Sequence, residues 1–190
     1  MCTHRRVSAL RHSQAGVSLI ELIMFIVILG VGLAGILSVM NLTTSHSADP
    51  MIRKQVLSIA EALLEEVELQ PFTYCDPDDA NATTAASTAG CASPPQGITP
   101  TPATETRYGP EQFDNVGDYG GFAMAGIRDI TNTALTGLGA YTASVAVTQD
   151  GAAFTLAASE VLRIDVTVSS GAENITLTGY RFRYAPNAVP

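Results

Sequence analysis

Histidine and cysteine, on which most nucleophilic and zinc sites depend, are scarce in this sequence, with three residues of each. The histidines are His4, His12 and His46, so none follows residue 46. A Ser/His/Asp or Cys/His nucleophile system needs such a base beside a pocket of a folded domain. The sequence also lacks ligands for a tetrahedral zinc site, because both distal cysteines lie far from any histidine. The sequence therefore predicts a protein that is not an enzyme and uses no cofactor.

Positive charge is also sparse. Ten Lys and Arg residues stand against 18 Asp and Glu residues, and the formal net charge is −8. Arg5, Arg6 and Arg11 lie close to the N-terminus, and the other cations are scattered along the chain. Phosphate binding needs clustered positive charge, so nucleic acid is not an expected partner. The basic N-terminal stretch instead predicts an end that stays in the cytoplasm next to a membrane.

One long hydrophobic run is present. Residues 22–40 read LIMFIVILGVGLAGILSVM, nineteen residues without a charge. About 20 apolar residues in a helix cross the ~30 Å hydrocarbon layer of a bilayer. The run therefore predicts a helix that spans or inserts into a membrane.

The residues before this run do not fit a secretory signal peptide, whose small cleavage-site residues follow its apolar region. Here Ala15 and Gly16 precede it, and Glu21 places a carboxylate inside the apolar segment. The stretch 14–21, QAGVSLIE, resembles the prepilin cleavage motif of type IV pilin-like proteins. The resemblance implies cleavage by prepilin peptidase after Gly16, N-methylation of Val17 as the new terminus, and a role in assembly for Glu21. A chain that begins at Val17 carries 7 − 18 = −11 charges.

Glu21 also has a physical interpretation. A carboxylate in an apolar layer costs a few kcal/mol, and pairing with the α-amine of Val17 neutralises both charges. If the pair forms between neighbouring subunits, it sets the register of assembly. The alternative is that Glu21 snorkels at the membrane edge. Gly30, Gly32 and Gly35 either let helices approach closely or weaken the helix locally.

Beyond the run, the pattern predicts an α+β fold in which one long helix packs on a C-terminal antiparallel sheet. The boundaries are a leader at 1–16, a helix at 17–70, a stapled loop and linker at 71–108, and a β-rich head at 109–190. Asp49-Pro50 marks a kink or a second helix start, and Pro71 ends the helix. Apolar residues recur at helical spacing between them: Ile52, Val56, Ile59, Leu63 and Val67.

Three strands are expected in the last third, where apolar residues alternate. The inward sets of the first two are Tyr141, Ala143, Val145 and Val147, and then Leu162, Ile164, Val166 and Val168. In the third, Ile175 and Leu177 have odd numbers, whereas Tyr180, Phe182 and Tyr184 have even numbers. A β-bulge at Gly179 would keep all five on one buried face, and we predict one there.

The loop carries Cys75 and Cys91, separated by fifteen residues. In an oxidising compartment a disulfide between them is expected, with two free thiols as the alternative. Asp76, Asp78 and Asp79 are candidate calcium ligands, but Ala80 occupies the position where an EF-hand loop needs its next oxygen. A solvated turn is therefore the preferred interpretation, with no metal. The same holds for a second polar group, formed by Asp114, Asn115 and Asp118.

Several pieces of the head are similar to minor pilins of the MshD type from mannose-sensitive haemagglutinin pili. They are residues 65–72 (EEVELQPF), 75–77 (CDP), 113–116 (FDNV) and 118–119 (DY). This resemblance implies a structural minor pilin in the inner membrane of a Gram-negative bacterium, then in a periplasmic or extracellular filament. Its partners would be other pilin subunits, prepilin peptidase and the assembly platform. A type II secretion minor pseudopilin and a single-span, membrane-anchored periplasmic binding protein are the alternatives.

Overall fold

The computed structural model describes residues 16–46 and 49–189. The predicted leader, apart from Gly16, lies outside the described residues. The chain divides into two compact units, Met1–Ser47 and Ala48–Pro190. Within the described part, the first unit contains one helix, α1, at Leu19–His46. The second contains helix α2 at Asp49–Glu68, a long loop and an antiparallel sheet.

The sheet has four strands in the order β1-β2-β3-β4: Ala123–Ala125, Thr142–Gln149, Val161–Ser170 and Glu173–Phe182. All neighbouring strands are antiparallel. The α+β prediction is therefore confirmed. The short edge strand β1 is an addition to the three strands expected from the alternation, and three residues are too few to show a pattern.

Helix α2 packs on strands β3 and β4. Its apolar stripe supplies Val56, Leu63 and Val67 to the core, and Ala60 lies between them with no exposed surface. The inward residues predicted for β2 and β3 are all buried and complete this core. Both patterns were readable because each element has one face in the protein interior and one in solvent.

The predicted β-bulge at Gly179 is wrong. Strands β3 and β4 pair without interruption from Val161↔Phe182 to Ser170↔Glu173. Gly179 instead faces α2, where a Cβ would overlap the carboxylate of Glu68 and lie 3.0 Å from Leu64 Cδ1. The core-facing side of β4 therefore has a glycine at this position, because α2 lies too close to the strand for a side chain.

The aromatic residues at the end of β4 consequently lie on the outer face of the sheet. Tyr180 and Phe182 pack against Phe154, with ring centroids 5.2 Å and 5.0 Å apart. Phe154 belongs to a 3₁₀ turn at Gly151–Phe154 in the β2–β3 connection. Tyr184 lies beyond the strand and is largely exposed. The prediction placed these aromatic residues on the buried face because they are aromatic. They instead form a second, small cluster on the outer face of the sheet, away from the main core.

Candidate functional site

The N-terminal site is built around the start of α1. Gly16, Val17 and Ser18 precede the helix without regular structure, and Gly16 and Val17 are exposed. Ser18 caps the helix: its Oγ accepts a hydrogen bond from the Glu21 N–H at 3.3 Å, and its carbonyl accepts one from the Leu22 N–H at 3.1 Å. The bond between Gly16 and Val17 therefore lies in non-helical, accessible backbone, as a peptidase substrate requires.

Sequence reasoning missed the capping role of Ser18. The signal was present, because Ser18 and Glu21 form the S-x-x-E spacing that marks a helix start. The cap fixes the first turn of α1 directly after the predicted new terminus, and thereby places Val17 and Glu21 at the same end of the helix.

Glu21 lies in the first turn of α1, and its side chain is exposed. A negative charge is favourable there, because the free N–H groups of a helix N-terminus carry partial positive charge. The ion pairs among the described residues all lie in the second unit. Within the described part of one chain, Glu21 is thus available to a cation from outside.

The side chains of α1 up to Met40 are unusual in their exposure. Residues Leu19–Met40 form a helix long and apolar enough to cross a membrane, and none of this segment is buried within the chain. A Cβ added at Gly30, Gly32 or Gly35 would meet nothing within 4 Å. Such a surface requires lipid or other apolar helices around it. Both interpretations of the glycines remain predictions.

The long loop is stapled by a disulfide between Cys75 and Cys91, and Cys75 is fully buried beside Ala82 and Ala85. The Asp79 carboxylate holds the second half of the loop by accepting bonds from the Ala92 and Ser93 N–H groups and the Ser93 hydroxyl. These bonds from Ser93, followed by one from the Asn81 N–H, hold the pKa of Asp79 well below its usual range. Asp79 therefore organises the loop as an anion.

The three candidate calcium ligands line one cavity but differ in burial and in hydrogen bonding. Asp78 is exposed, Asp79 caps the loop, and Asp76 turns inward and is only 3% exposed. The solvated turn expected here describes Asp78 but not Asp76. Asp76 instead meets two carboxylates from distant parts of the loop, Glu105 and Asp114.

The electrostatics of this acidic group are strongly perturbed. Burial, and then the charges of Asp118 and Asp76, raise the pKa of Glu105 to about 9. Burial and the same two neighbours raise the pKa of Asp114 to about 7. Sequence reasoning missed Glu105, since it lies 29 residues after Asp76 in a stretch with no periodicity that would indicate which way its side chain points.

Of the second polar group, Asp118 and Asn115 are structural. Asp118 is fully buried and accepts bonds from the Gln96 side chain and from the Thr101, Asn115 and Asp114 N–H groups. Asn115 caps the 3₁₀ turn Val116–Tyr119 and donates to the Thr73 hydroxyl at 2.7 Å. Asp118 thus ties the loop together as a satisfied acceptor.

Comparison with known proteins matches the N-terminal segment to a family. Residues 11–37 match the family model described as the prokaryotic N-terminal methylation motif. The matched segment includes Gly16, Val17 and Glu21 and ends within α1. The match supports a type IV pilin-like protein with a structural role, although it covers less than half of the chain. No curated protein and no solved structure matches the chain.

Proposed function

We propose that this chain is a minor subunit of a type IV pilus, processed by prepilin peptidase and assembled through α1. The observation that carries the proposal is that the methylation motif covers the start of an apolar helix with an acid in its first turn. Cleavage between Gly16 and Val17 would leave the basic leader behind and free an α-amine at Val17, which is the site of methylation.

The Glu21 carboxylate supplies the contact between subunits. An α-amine and a carboxylate that meet in an apolar surrounding neutralise each other, whereas either alone is costly there. When Glu21 meets the Val17 amine of the next subunit, α1 can pack against neighbouring helices only in a register that joins the two groups. The inner membrane holds the subunit before assembly, and the filament holds it afterwards.

The experiment is mass spectrometry of the full chain from host cells with and without prepilin peptidase. We expect the mature protein to begin at N-methylated Val17 only when the peptidase is present, and Gly16→Leu to retain the leader. The matched control is Gly35→Ala, which changes a glycine away from the cleavage site and should be processed normally. A mature chain that retains residues 1–16, or begins after Met40, would contradict the proposal.

The same processing is expected of a type II secretion pseudopilin, so a second measurement is needed. Shearing detaches surface filaments from cells, and immunoblotting of the sheared fraction shows whether the subunit is in an external pilus. Recovery with the major pilin supports a minor pilin, and recovery with the major pilin of a mannose-sensitive haemagglutinin pilus supports the MshD type. A subunit that stays with the cell envelope and is needed for protein secretion would instead be a pseudopilin. Leader retention in both strains would leave a membrane-anchored binding protein.

A further inference from the structure

Three carboxylates from separate parts of the long loop converge on one point. Asp76 follows the disulfide residue Cys75, Glu105 lies in the proline-rich stretch, and Asp114 precedes the 3₁₀ turn Val116–Tyr119. One oxygen of each carboxylate lies within 4.8 Å of the other two. Asp76 and Glu105 are 3% and 4% exposed, so this convergence occurs inside the protein rather than in solvent.

Each member of the group keeps a buried oxygen without a hydrogen-bond partner among the described residues: Asp76 Oδ2, Glu105 Oε2 and Asp114 Oδ1. The other oxygen of Asp76, Oδ1, accepts the Asp78 N–H at 2.7 Å, which fixes the carboxylate in its inward orientation. A buried carboxylate oxygen without a donor is costly, and folding normally avoids it. Three of them side by side require either a shared proton, such as a hydrogen bond between the Asp76 and Glu105 carboxyl groups, or a bound cation.

No protein cation in the described part of the chain fills that role. The ion pairs there use the carboxylates of Glu66, Asp165 and Glu160. Asp118, beside the group, adds a further negative charge, but its two oxygens already accept four N–H donors. Gln96, which supplies one of these donors, is 7% exposed and leaves its Oε1 without a partner.

One member of the group, Asp76, faces a cavity that opens to solvent. A cavity of about 250 Å³ opens onto Asp76 and is lined by Asp78, Asp79, Ser93 and Thr101 together with two prolines. Two of these lining residues are carboxylates, so the entrance attracts cations. A buried ion site needs such a path.

We propose that Asp76, Glu105 and Asp114 bind a divalent cation of the hard, oxygen-preferring class, and that calcium is the ion that fits. Calcium–oxygen distances of about 2.3–2.6 Å keep any two ligands of one ion within about 5.2 Å, and these three oxygens, all within 4.8 Å of one another, satisfy that limit. The donor set contains no imidazole, and the Cys75 sulfur is in a disulfide, so these ligands do not suit zinc or copper. Irregular loop ligands suit the flexible coordination of calcium better than the strict octahedron of magnesium.

The bound ion adds a link between three segments that hydrogen bonds of Asp118 and Asn115 already hold together. It connects the stapled loop at Asp76, the proline-rich stretch at Glu105 and the segment before the 3₁₀ turn at Asp114. Because the ion binds the folded arrangement and not the unfolded chain, it stabilises the second unit, and this stabilisation grows with the logarithm of the free ion concentration above Kd.

The test uses the full chain in detergent micelles, stripped with EGTA and returned to calcium chloride or magnesium chloride at neutral pH. Calorimetric titration should show one calcium ion per chain. Thermal unfolding, followed by near-ultraviolet circular dichroism, should shift upward by about 5 to 10 °C at a calcium concentration 100-fold above its Kd. Magnesium should give a smaller shift.

Glu105→Gln keeps the shape of the side chain and removes one ligand charge, so it should abolish most of the calcium-dependent shift. Asp114→Asn is the second variant, should Glu105→Gln fail to fold. Glu61→Gln is the matched control, because it removes one exposed charge from α2 outside the group. An unchanged unfolding temperature of the original chain in calcium, or an equal shift in Glu105→Gln and Glu61→Gln, would overturn the proposal. In that case the carboxylates share protons instead.

Discussion

The guanidinium of Arg107 makes a two-point contact with the carboxylate of Glu66: Nε donates to Oε1 and Nη2 donates to Oε2, each at 2.6 Å. The Tyr119 hydroxyl donates to the same Oε1 at 2.8 Å. Arg107 is 6% exposed. Burial alone would lower the pKa of Arg107, but the bonds to Glu66 and its charge outweigh burial and raise it. One acid of α2 therefore ties the long loop to the helix at two points.

Removing this acid should destabilise the protein strongly. Glu66→Ala leaves Arg107 buried without its counter-ion, and we expect the free energy of unfolding to fall by about 3 kcal/mol. Urea unfolding of the full chain in micelles, followed by near-ultraviolet circular dichroism, measures the change. Glu65→Ala, at the exposed neighbouring position, should change it by less than about 0.5 kcal/mol. Equal effects of the two substitutions would contradict the importance of the ion pair.

Gly179 gives a second prediction. Valine is normally favoured in a strand, yet Gly179→Val should lower the free energy of unfolding by about 1–3 kcal/mol, because its side chain would collide with Glu68 and Leu64 of α2. Adding Glu68→Ala removes the nearer obstacle and should recover part of the loss. Urea unfolding of the single and double variants tests this. A stabilising Gly179→Val would mean that α2 can move away from β4.

These two contacts show what the sequence could and could not reveal. Strands β2 and β3 were predictable because every second residue enters one core. The path of β4 was not, because the choice of face depends on the closeness of α2 to Gly179, a contact between residues far apart in sequence. The start of α1 could have been predicted from the local S-x-x-E spacing of Ser18 and Glu21. Glu105 and Arg107 were not recognisable as functional or structural residues, since their partners lie in other segments.

The buried carboxylates predict an unusual pH dependence in the absence of metal. The folded-state pKa of Glu105, about 9, lies above its ordinary value of 4.5, so the folded state holds a proton that the unfolded chain releases. The stabilising contribution is present below pH 4.5 and is lost as the pH rises towards 9. In EGTA, urea unfolding at several pH values should show stability falling between pH 5 and 9, and Glu105→Gln should flatten the slope. A stability that rises across this window would contradict the prediction.

The disulfide gives two predictions, one on the pairing of the cysteines and one on the free energy of unfolding. Non-reducing peptide mapping of exported protein should recover Cys75 and Cys91 as one linked pair. Replacing both by alanine should lower the free energy of unfolding by about 3 kcal/mol, the chain-entropy value for a loop of this length. Ser87→Ala, an exposed position between the two cysteines that leaves the disulfide intact, is the control. Recovery of both cysteines as free thiols would contradict the pairing.

The last prediction concerns Glu21, whose carboxylate in the first turn of α1 is accessible to another chain. In an isolated anchor this charge is a cost, whereas in a filament it can meet the Val17 amine of a neighbour. Glu21→Ala and Glu21→Gln should both leave membrane insertion, cleavage and the folded head intact, because each of these depends on other residues. Both should reduce recovery of the subunit in sheared filaments, since the amide keeps the shape of the side chain but not its charge.

The comparison requires each variant at an equal expression level, with the sheared and cell fractions both immunoblotted. Ser38→Ala is the matched control, because it alters a polar side chain within α1 away from the terminus. If the amine–carboxylate pair sets the register, Glu21→Asp should assemble better than Glu21→Gln, because it retains the charge on a shorter side chain. Incorporation of Glu21→Gln at the level of the original chain would mean that Glu21 only reaches the membrane surface, and the assembly mechanism would be wrong.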